Sequence, residues 1–340
     1  MSTSQPSRRE ILKLLGSAPF LPTGAHAAHV STQASSSARA RLCLVSRHLQ
    51  WTGVEDAVGV AAEAGCKAIA WTVRPGAHIL AENVERDLPK AVELAHKAGL
   101  ATPMVITAIV DAQSARAEAI LETMRGLGIR YYRAPSFRYD LTQELESQLE
   151  ALQPRIASLV RLNEKYGTTA MYHTHSATGN VGGGVWDLWL ALRNFDSEFV
   201  GLNYDLGHAT IRGGSGWVET SRFAHKYVHG LSVKDFRWIK QPGNARAAST
   251  SARSPEMVPP GEGMVDFKGM LAYFKSVGFA GPVELYQEYE VEIPGTSARV
   301  NMLGTAYGKW KLEMSKERYI SLLKRDVKFY TAALTEAGLL

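Results

Sequence analysis

Short apolar runs alternate with longer amphipathic segments along most of this chain. The apolar runs are "RLCLVS" from Arg41, "KAIAWTV" from Lys67, "TPMVITA" from Thr102, "IRYYRA" from Ile129, "TAMYHTH" from Thr169, "VGLNYD" from Val200, "VHGLSVKD" from Val228 and "GPVELYQEYE" from Gly281. Their length and their β-branched and aromatic content predict eight strands. Between them lie helical patterns such as "VEDAVGVAAEAG", "VERDLPKAVELAHKAG", "AEAILETMRGLG" and "LESQLEALQPRIASLVRLNEKYG", several closed by a glycine that tolerates the positive φ of a helix end. Pro89 and Pro154 argue against unbroken helices in the second and fourth of these. Repeated βα units over residues 41–340 predict one α/β domain, a (β/α)8 TIM barrel. An open dinucleotide-binding sheet is disfavoured, because no Gly-x-Gly-x-x-Gly follows the first strand. The polar stretch Arg237–Gly261 reads as an inserted loop over the barrel mouth.

Composition changes this picture only at the N-terminus. With 45% hydrophobic and 21% charged residues the chain is globular, and a formal charge of +5 is too small and scattered to argue for nucleic acid. Cys43 and Cys66 have no zinc-type spacing. Ser7-Arg8-Arg9-Glu10-Ile11-Leu12-Lys13 resembles a twin-arginine export signal; the weakly apolar "LLGSAPFLPTG" follows, then the cleavage-like Ala25-His26-Ala27. We therefore expect a leader over 1–27, a Ser/Ala-rich linker over 28–40, and action outside the cytoplasm, in the periplasm or beyond. No stretch has the roughly 18 apolar residues of a membrane span. Oligomeric state is left open.

In a parallel barrel the chemistry sits where strands end at their C-terminal face. Here those ends carry Ser46, Arg47 and His48; Arg74 and His78; Asp111; Arg133; His173 and His175; Asp205 and His208; Ser232, Lys234 and Asp235; and Glu284, Tyr286 and Glu288. Residues two apart share a strand face, so His173 with His175, Ser232 with Lys234, and Glu284 with Tyr286 and Glu288 are expected to point together. Burying so many ionisable groups costs several kcal/mol unless a metal or a polyhydroxylated ligand compensates them. The alternative is a solvated ring of salt bridges, with Lys234 paired to Asp235 or Glu262.

The segments "NYDLGHAT", "VKDF" and "PPGEGMVDFKGMLAYFKSVGFAGPVELYQEYE" resemble the sugar phosphate isomerase/epimerase superfamily, which has a xylose isomerase-like barrel, and in particular an exported, twin-arginine-tagged branch of it. The resemblance implies a divalent cation held by Glu, Asp, His and Glu from strands five to eight. Only Asp205 matches; His173 stands at the first Glu, Ser232 at the His and Tyr286 near the last Glu. A cation moved outward by about 6–7 Å could instead take His175, Asp205 and Glu288, with His173 or His208 completing the shell. Mixed imidazole and carboxylate ligands suit Mn, Co, Zn or Fe. The implied chemistry is proton abstraction next to a carbonyl of a small-molecule carbohydrate, with His208, Lys234 and Glu288 as catalytic candidates and His78, Arg133, His173 and Lys234 as substrate contacts. Isomerase or epimerase is the leading expectation. A lyase or dehydratase on keto-sugars or 3-keto-glycosides, and a non-catalytic carbohydrate-binding barrel, are the alternatives.

Overall fold

A computed structural model describes residues 41–240, 253–293, 295–304 and 308–340. The expected leader and linker lie outside the described residues. The barrel strands are β1 (Leu42–Val45), β2 (Ile69–Val73), β3 (Met104–Thr107), β4 (Tyr131–Ala134), β5 (Thr169–His173), β6 (Val200–Asp205), β7 (Val228–Val233) and, eighth around the ring, β10 (Val283–Leu285). They close as an all-parallel barrel in which β1 is hydrogen-bonded to both β2 and β10. This is the (β/α)8 TIM barrel the alternation predicted.

The helices wrap the outside in sequence: α1 (Val54–Glu63), α2 (Val84–Lys97), α3 (Ala117–Gly126), α4 (Leu145–Tyr166), α5 (Trp186–Leu192), α6 (Leu206–Gly213), α7 (Trp217–Ala224), α8 (Phe267–Ser276) and α9 (Lys316–Glu336). Pro89 and Pro154 lie inside α2 and α4 without ending them. Each removes one backbone donor, but the apolar stripes Leu88–Val92–Ala95 and Leu152–Ile156–Leu159 run past them and are buried. Packing outweighs the lost hydrogen bond.

Of the segment Arg237–Gly261, residues 241–252 lie outside the described residues, and the flanking parts depart from the expected loop. Strands β8 (Asp235–Lys240) and β9 (Arg253–Val258) pair antiparallel as a hairpin, and its base is fixed by Asp235. That carboxylate accepts the backbone N–H groups of Gly261, Gly263 and Val265 at 3.0–3.2 Å. A Cβ at Gly263 would lie 2.1 Å from Asp235 Oδ1, so the motif "GEG" keeps that position bare. Asp235 therefore does not pair with Lys234.

Two apolar bodies support the mouth. The larger fills the space between sheet and helices; the smaller, made of Cys43, Val45, Ala68, Ala70, Met104, Ile106, Met171 and Tyr286, plugs the barrel interior. At Gly230 a Cβ would stand 2.9 Å from Met171 Sδ, which is why that inward position carries no side chain. Above the plug the interior turns polar.

Candidate active site

The polar layer follows from strand register. Adjacent pairs His173–Asn203, Asp205–Ser232 and Ser232–Glu284 put inward side chains level with one another. Ser232 Oγ lies 2.7 Å from Glu284 Oε2 and 2.6 Å from Asn203 Oδ1, and Asn203 Oδ1 accepts from His173 Nδ1 at 2.8 Å. Arg133 Nε lies 3.4 Å from Glu284 Oε1 across the barrel. Glu284 and Ser232, at 0% exposure, are thus committed to a buried ring below the mouth.

Directly above sits Asp205, also at 0% exposure. It ends β6 and caps α6: Oδ1 accepts the backbone N–H of His208 at 2.8 Å, which fixes the helix start and brings His208 back over the barrel. Its Oδ2 makes no hydrogen bond and is met by the Lys234 ammonium at 3.2 Å. Burial pushes the Asp205 carboxyl up to about 6, even with Lys234 beside it. The carboxylate is short of positive charge.

Lys234 is 2% exposed. Its Nζ donates to Glu288 Oε2 at 2.7 Å and, since an ammonium can only donate, to a lone pair on His208 Nε2 at 2.8 Å. The proton of His208 therefore resides on Nδ1, 2.8 Å from Ser176 Oγ. Burial, followed by the Lys234 charge, holds His208 well below the usual histidine range; burial and then Arg133 do the same for His173. Both imidazoles are neutral and each is held through Nδ1, which leaves an unprotonated Nε2: that of His208 accepts from Lys234, and that of His173 lies 3.8 Å from Asp205 Oδ2. Burial would discharge Lys234 and Glu288, but Asp205 and Glu288 outweigh it for the ammonium and Lys234 outweighs it for the carboxylate, so both stay charged.

A metal-ligand set emerges from this arrangement. His173, Asp205 and His208 each offer one ligand atom, these atoms lie within 4.8 Å of one another, with His173 Nε2 3.8 Å from Asp205 Oδ2, and all three residues are buried. Two neutral imidazoles with their other nitrogen anchored, beside an unsatisfied carboxylate oxygen, fit a divalent transition-metal ion. Lys234 draws on two of the same three atoms.

The structure brings most of the residues singled out from sequence to this mouth and holds three of them apart from the donor group. His175 lies beyond the end of β5; its Nδ1 accepts from Ala177 N at 3.0 Å and its ring lies 3.9 Å from that of His208, outside the donor group. Glu288, beyond the end of β10, is bound to Lys234 and is likewise outside it. Inward alternation holds only while a strand lasts. His78 is not at this mouth: its Nε2 faces the carbonyls of Leu49 and Thr52 at 3.1 and 3.2 Å, and it lines a separate cleft with Gly53 and Leu94. Arg133, His173 and Glu288 do line the mouth cavity, of about 380 Å³, together with His175 and Tyr286. Sequence reasoning missed Asn203 and Ser176. Asn203 was within reach, since it precedes Asp205 by two on the same face; Ser176 gave no signal. Tyr286 acquires a part too, because its hydroxyl is buried at the cavity wall without a partner.

The family model described as "xylose isomerase-like TIM barrel" matches residues 58–303. Solved structures that resemble this chain include the IOLI protein with a binding zinc atom (TM-score 0.61, 14% identity, covering 87% of this chain and 99% of that one). Others are the probable 3-DHS dehydratase AsbF from Bacillus anthracis (0.59, 15%, 86% and 98%) and the 3-keto-D-glucoside 4-epimerase YcjR from E. coli (0.56, 12%, 83% and 97%). At these identities the likeness speaks to the fold. No curated protein matches the sequence.

Proposed function

The chain belongs to the xylose isomerase-like TIM barrel family, and from that premise we propose that it is a sugar isomerase or epimerase, abstracting a proton next to a carbonyl of a carbohydrate outside the cytoplasm. The observation that carries the reading is the cluster of His173, Asp205 and His208 with the Lys234 ammonium and the Glu288 carboxylate, of which His173 and Glu288 line the mouth cavity. The twin-arginine-like motif supports the location. Zinc in the IOLI structure and the epimerase activity named for YcjR agree with a metal-assisted sugar reaction. A divalent ion (Mn, Co, Zn or Fe) on His173, Asp205 and His208 would polarise the carbonyl and its neighbouring hydroxyl as a Lewis acid.

The chain's own residues supply the rest. Glu288, ionised and not needed as a ligand, takes the C–H proton and returns it to the adjacent carbon on the same face, as isomerisation requires. Lys234 donates a hydrogen bond to the oxygen on which negative charge develops. Asn203 and Ser176 hold the two imidazoles in the tautomer that leaves Nε2 free. Of the parts weighed from sequence, this reading gives His208 that of completing ligand and Glu288 that of base. A lyase on keto-sugars or 3-keto-glycosides is the second reading, favoured by Lys234, which is placed to protonate a leaving oxygen, and by the fold shared with the dehydratase AsbF.

The test incubates protein loaded with each metal in D2O with a panel of aldoses, ketoses and 3-keto-glycosides, followed by NMR and mass spectrometry. Deuterium at the carbon beside the carbonyl with product mass otherwise unchanged is the expected result, and Glu288→Gln should abolish it. Loss of water or aglycone selects the lyase. Sugar binding without exchange in any arm leaves a non-catalytic binding barrel and refutes the proposal.

A further inference from the structure

Glu288 stands on a stretch of chain that belongs to no strand: β10 ends at Leu285 and the next strand begins at Glu290. Its place is set from behind. Glu288 lines the mouth, whereas its two neighbours in the chain, Gln287 and Tyr289, are buried and reach one carboxylate, that of Asp326 in α9. Asp326 Oδ2 accepts from Gln287 Nε2 at 2.9 Å and from the Tyr289 hydroxyl. Its Oδ1 accepts from Nε and Nη2 of Arg325, each at 3.0 Å, and Arg325 Nη2 also donates to the Tyr289 oxygen at 3.0 Å. Gln287 is fixed at two further points: its backbone N–H donates to His48 Nε2 at 3.3 Å, and its Oε1 lies 3.3 Å from the Tyr319 hydroxyl, which donates to the His48 carbonyl at 2.8 Å.

Docking α9 does not require this carboxylate. The helix already buries Tyr319, Ile320, Leu323, Val327, Tyr330 and Leu334 along one stripe, and such burial is what holds a helix to a barrel. An acidic side chain in the middle of that stripe, at 0% exposure, costs desolvation free energy that only its hydrogen bonds offset, and two of these come from the residues on either side of Glu288. We infer that Asp326 is the positioning residue of the proposed base: by clamping Gln287 and Tyr289 it holds the intervening Glu288 where its carboxylate meets Lys234 Nζ at 2.7 Å and faces the cavity. The inference rests on the reading of Glu288 as the base. Asp326 acts through the chain and touches neither sugar nor metal. Asp326→Asn would present one acceptor and one NH2 donor where two acceptor oxygens now meet the donors of three residues, so at least one arm of the clamp opens.

Amide hydrogen exchange on the full chain reads the clamp without any ligand. In Asp326→Asn the amides of residues 286–290 should exchange roughly 10-fold or more faster than in the parent, with β5 and β6 unchanged. Tyr289→Phe, which keeps the ring and removes one arm of the clamp, should do the same more weakly. With a sugar that takes up deuterium in the panel above, kcat of Asp326→Asn should fall roughly 10–100-fold while KM stays within about twofold. Val327→Ala, next to Asp326 in the apolar stripe, should lower the melting temperature and leave kcat unchanged, which separates positioning from helix docking. Unaltered exchange at 286–290 in both variants, or a kcat loss that Val327→Ala reproduces, overturns the inference and leaves the sugar reading in place. If the parent acts on no sugar the sugar reading falls, and amide exchange alone decides the clamp: local loosening at 286–290 upholds it and an unaltered pattern overturns it.

Discussion

Replacing Lys234 by methionine keeps the length of its stem and removes its charge. Five charged groups are linked by ion pairs in and just below the barrel mouth: cations Arg133 and Lys234, and carboxylates Glu284, Asp205 and Glu288, with Lys234 within 3.2 Å of two of the latter. With all five ionised the sum is −1, and without Lys234 it becomes −2. Asp205 and Glu288 would then be buried together with no cation between them. Breaking a buried pair in this way costs about 3–5 kcal/mol, and at about 2–4 °C per kcal/mol for a large domain the apo protein should melt about 6–20 °C lower. A divalent ion on His173, Asp205 and His208 replaces the missing charge and, at a hundredfold excess over Kd, contributes about 2.7 kcal/mol. In the unsubstituted protein the same ion must first take Asp205 and His208 from the ammonium, so its effect is smaller. Thermal unfolding in EDTA and in Mn²⁺ or Zn²⁺ measures both shifts. A variant that melts within about 2 °C of its parent in EDTA, or a metal-induced shift identical in the two proteins, would refute the claim that ammonium and metal draw on one donor set.

Asp205→Asn retains a cap for α6 and brings the same charge sum to zero, so its melting temperature in EDTA should stay within about 3 °C of the parent, while metal content by mass spectrometry is lost. His208→Ala should likewise lose metal, His175→Ala should keep it, and Asn203→Ala should weaken it by about 10–100-fold, because the amide holds His173 from behind. Cys43 and Cys66 are free and buried, and burial pushes the Cys66 thiol up to about 12. At pH 8 its thiolate fraction is about 10⁻⁴, so alkylation should be very slow in the native state, quicken as pH rises toward 12, and be complete on unfolding. Gly263→Ala drives a methyl into Asp235; the expected cost is about 1–3 kcal/mol, with faster proteolysis at the β8–β9 hairpin, and an unchanged cleavage pattern would remove Asp235 as its anchor.

The barrel was legible because its signal is repetitive. Eight runs with β-branched residues, each followed by an amphipathic segment, leave few other topologies, and alternation within those runs correctly turned His173, Asp205, Ser232 and Glu284 inward. Legibility stopped where the strands did. His175 and Glu288 were placed by extending a two-residue period past the strand ends, but β5 ends at His173 and β10 ends at Leu285. His78 looked equivalent to the other mouth histidines because sequence does not say which side of a βα loop a ring occupies. The hairpin was missed because Pro255 and the polar residues around it read as loop, and an edge strand tolerates both.

The departures from the family's ligand pattern have a common physical origin. A serine at the β7 position is too short to reach the mouth, and here it bonds Glu284, which in turn faces Arg133. That ring supplies the barrel interior with a neutralised polar floor. In the proposed site ligation comes from above the floor, and the one retained residue, Asp205, serves two roles there. One oxygen starts α6 and so delivers His208, three residues on, to the same point that the other oxygen faces. In the proposed donor set a helix cap thereby stands in for the strand histidine that the resemblance implies. Because this donor set is assembled from a strand end and the first turn of a helix, its geometry depends on the cap more than on strand register. The same dependence places Lys234, two residues above Ser232, level with that helix start, where it can neutralise the site in the absence of a metal.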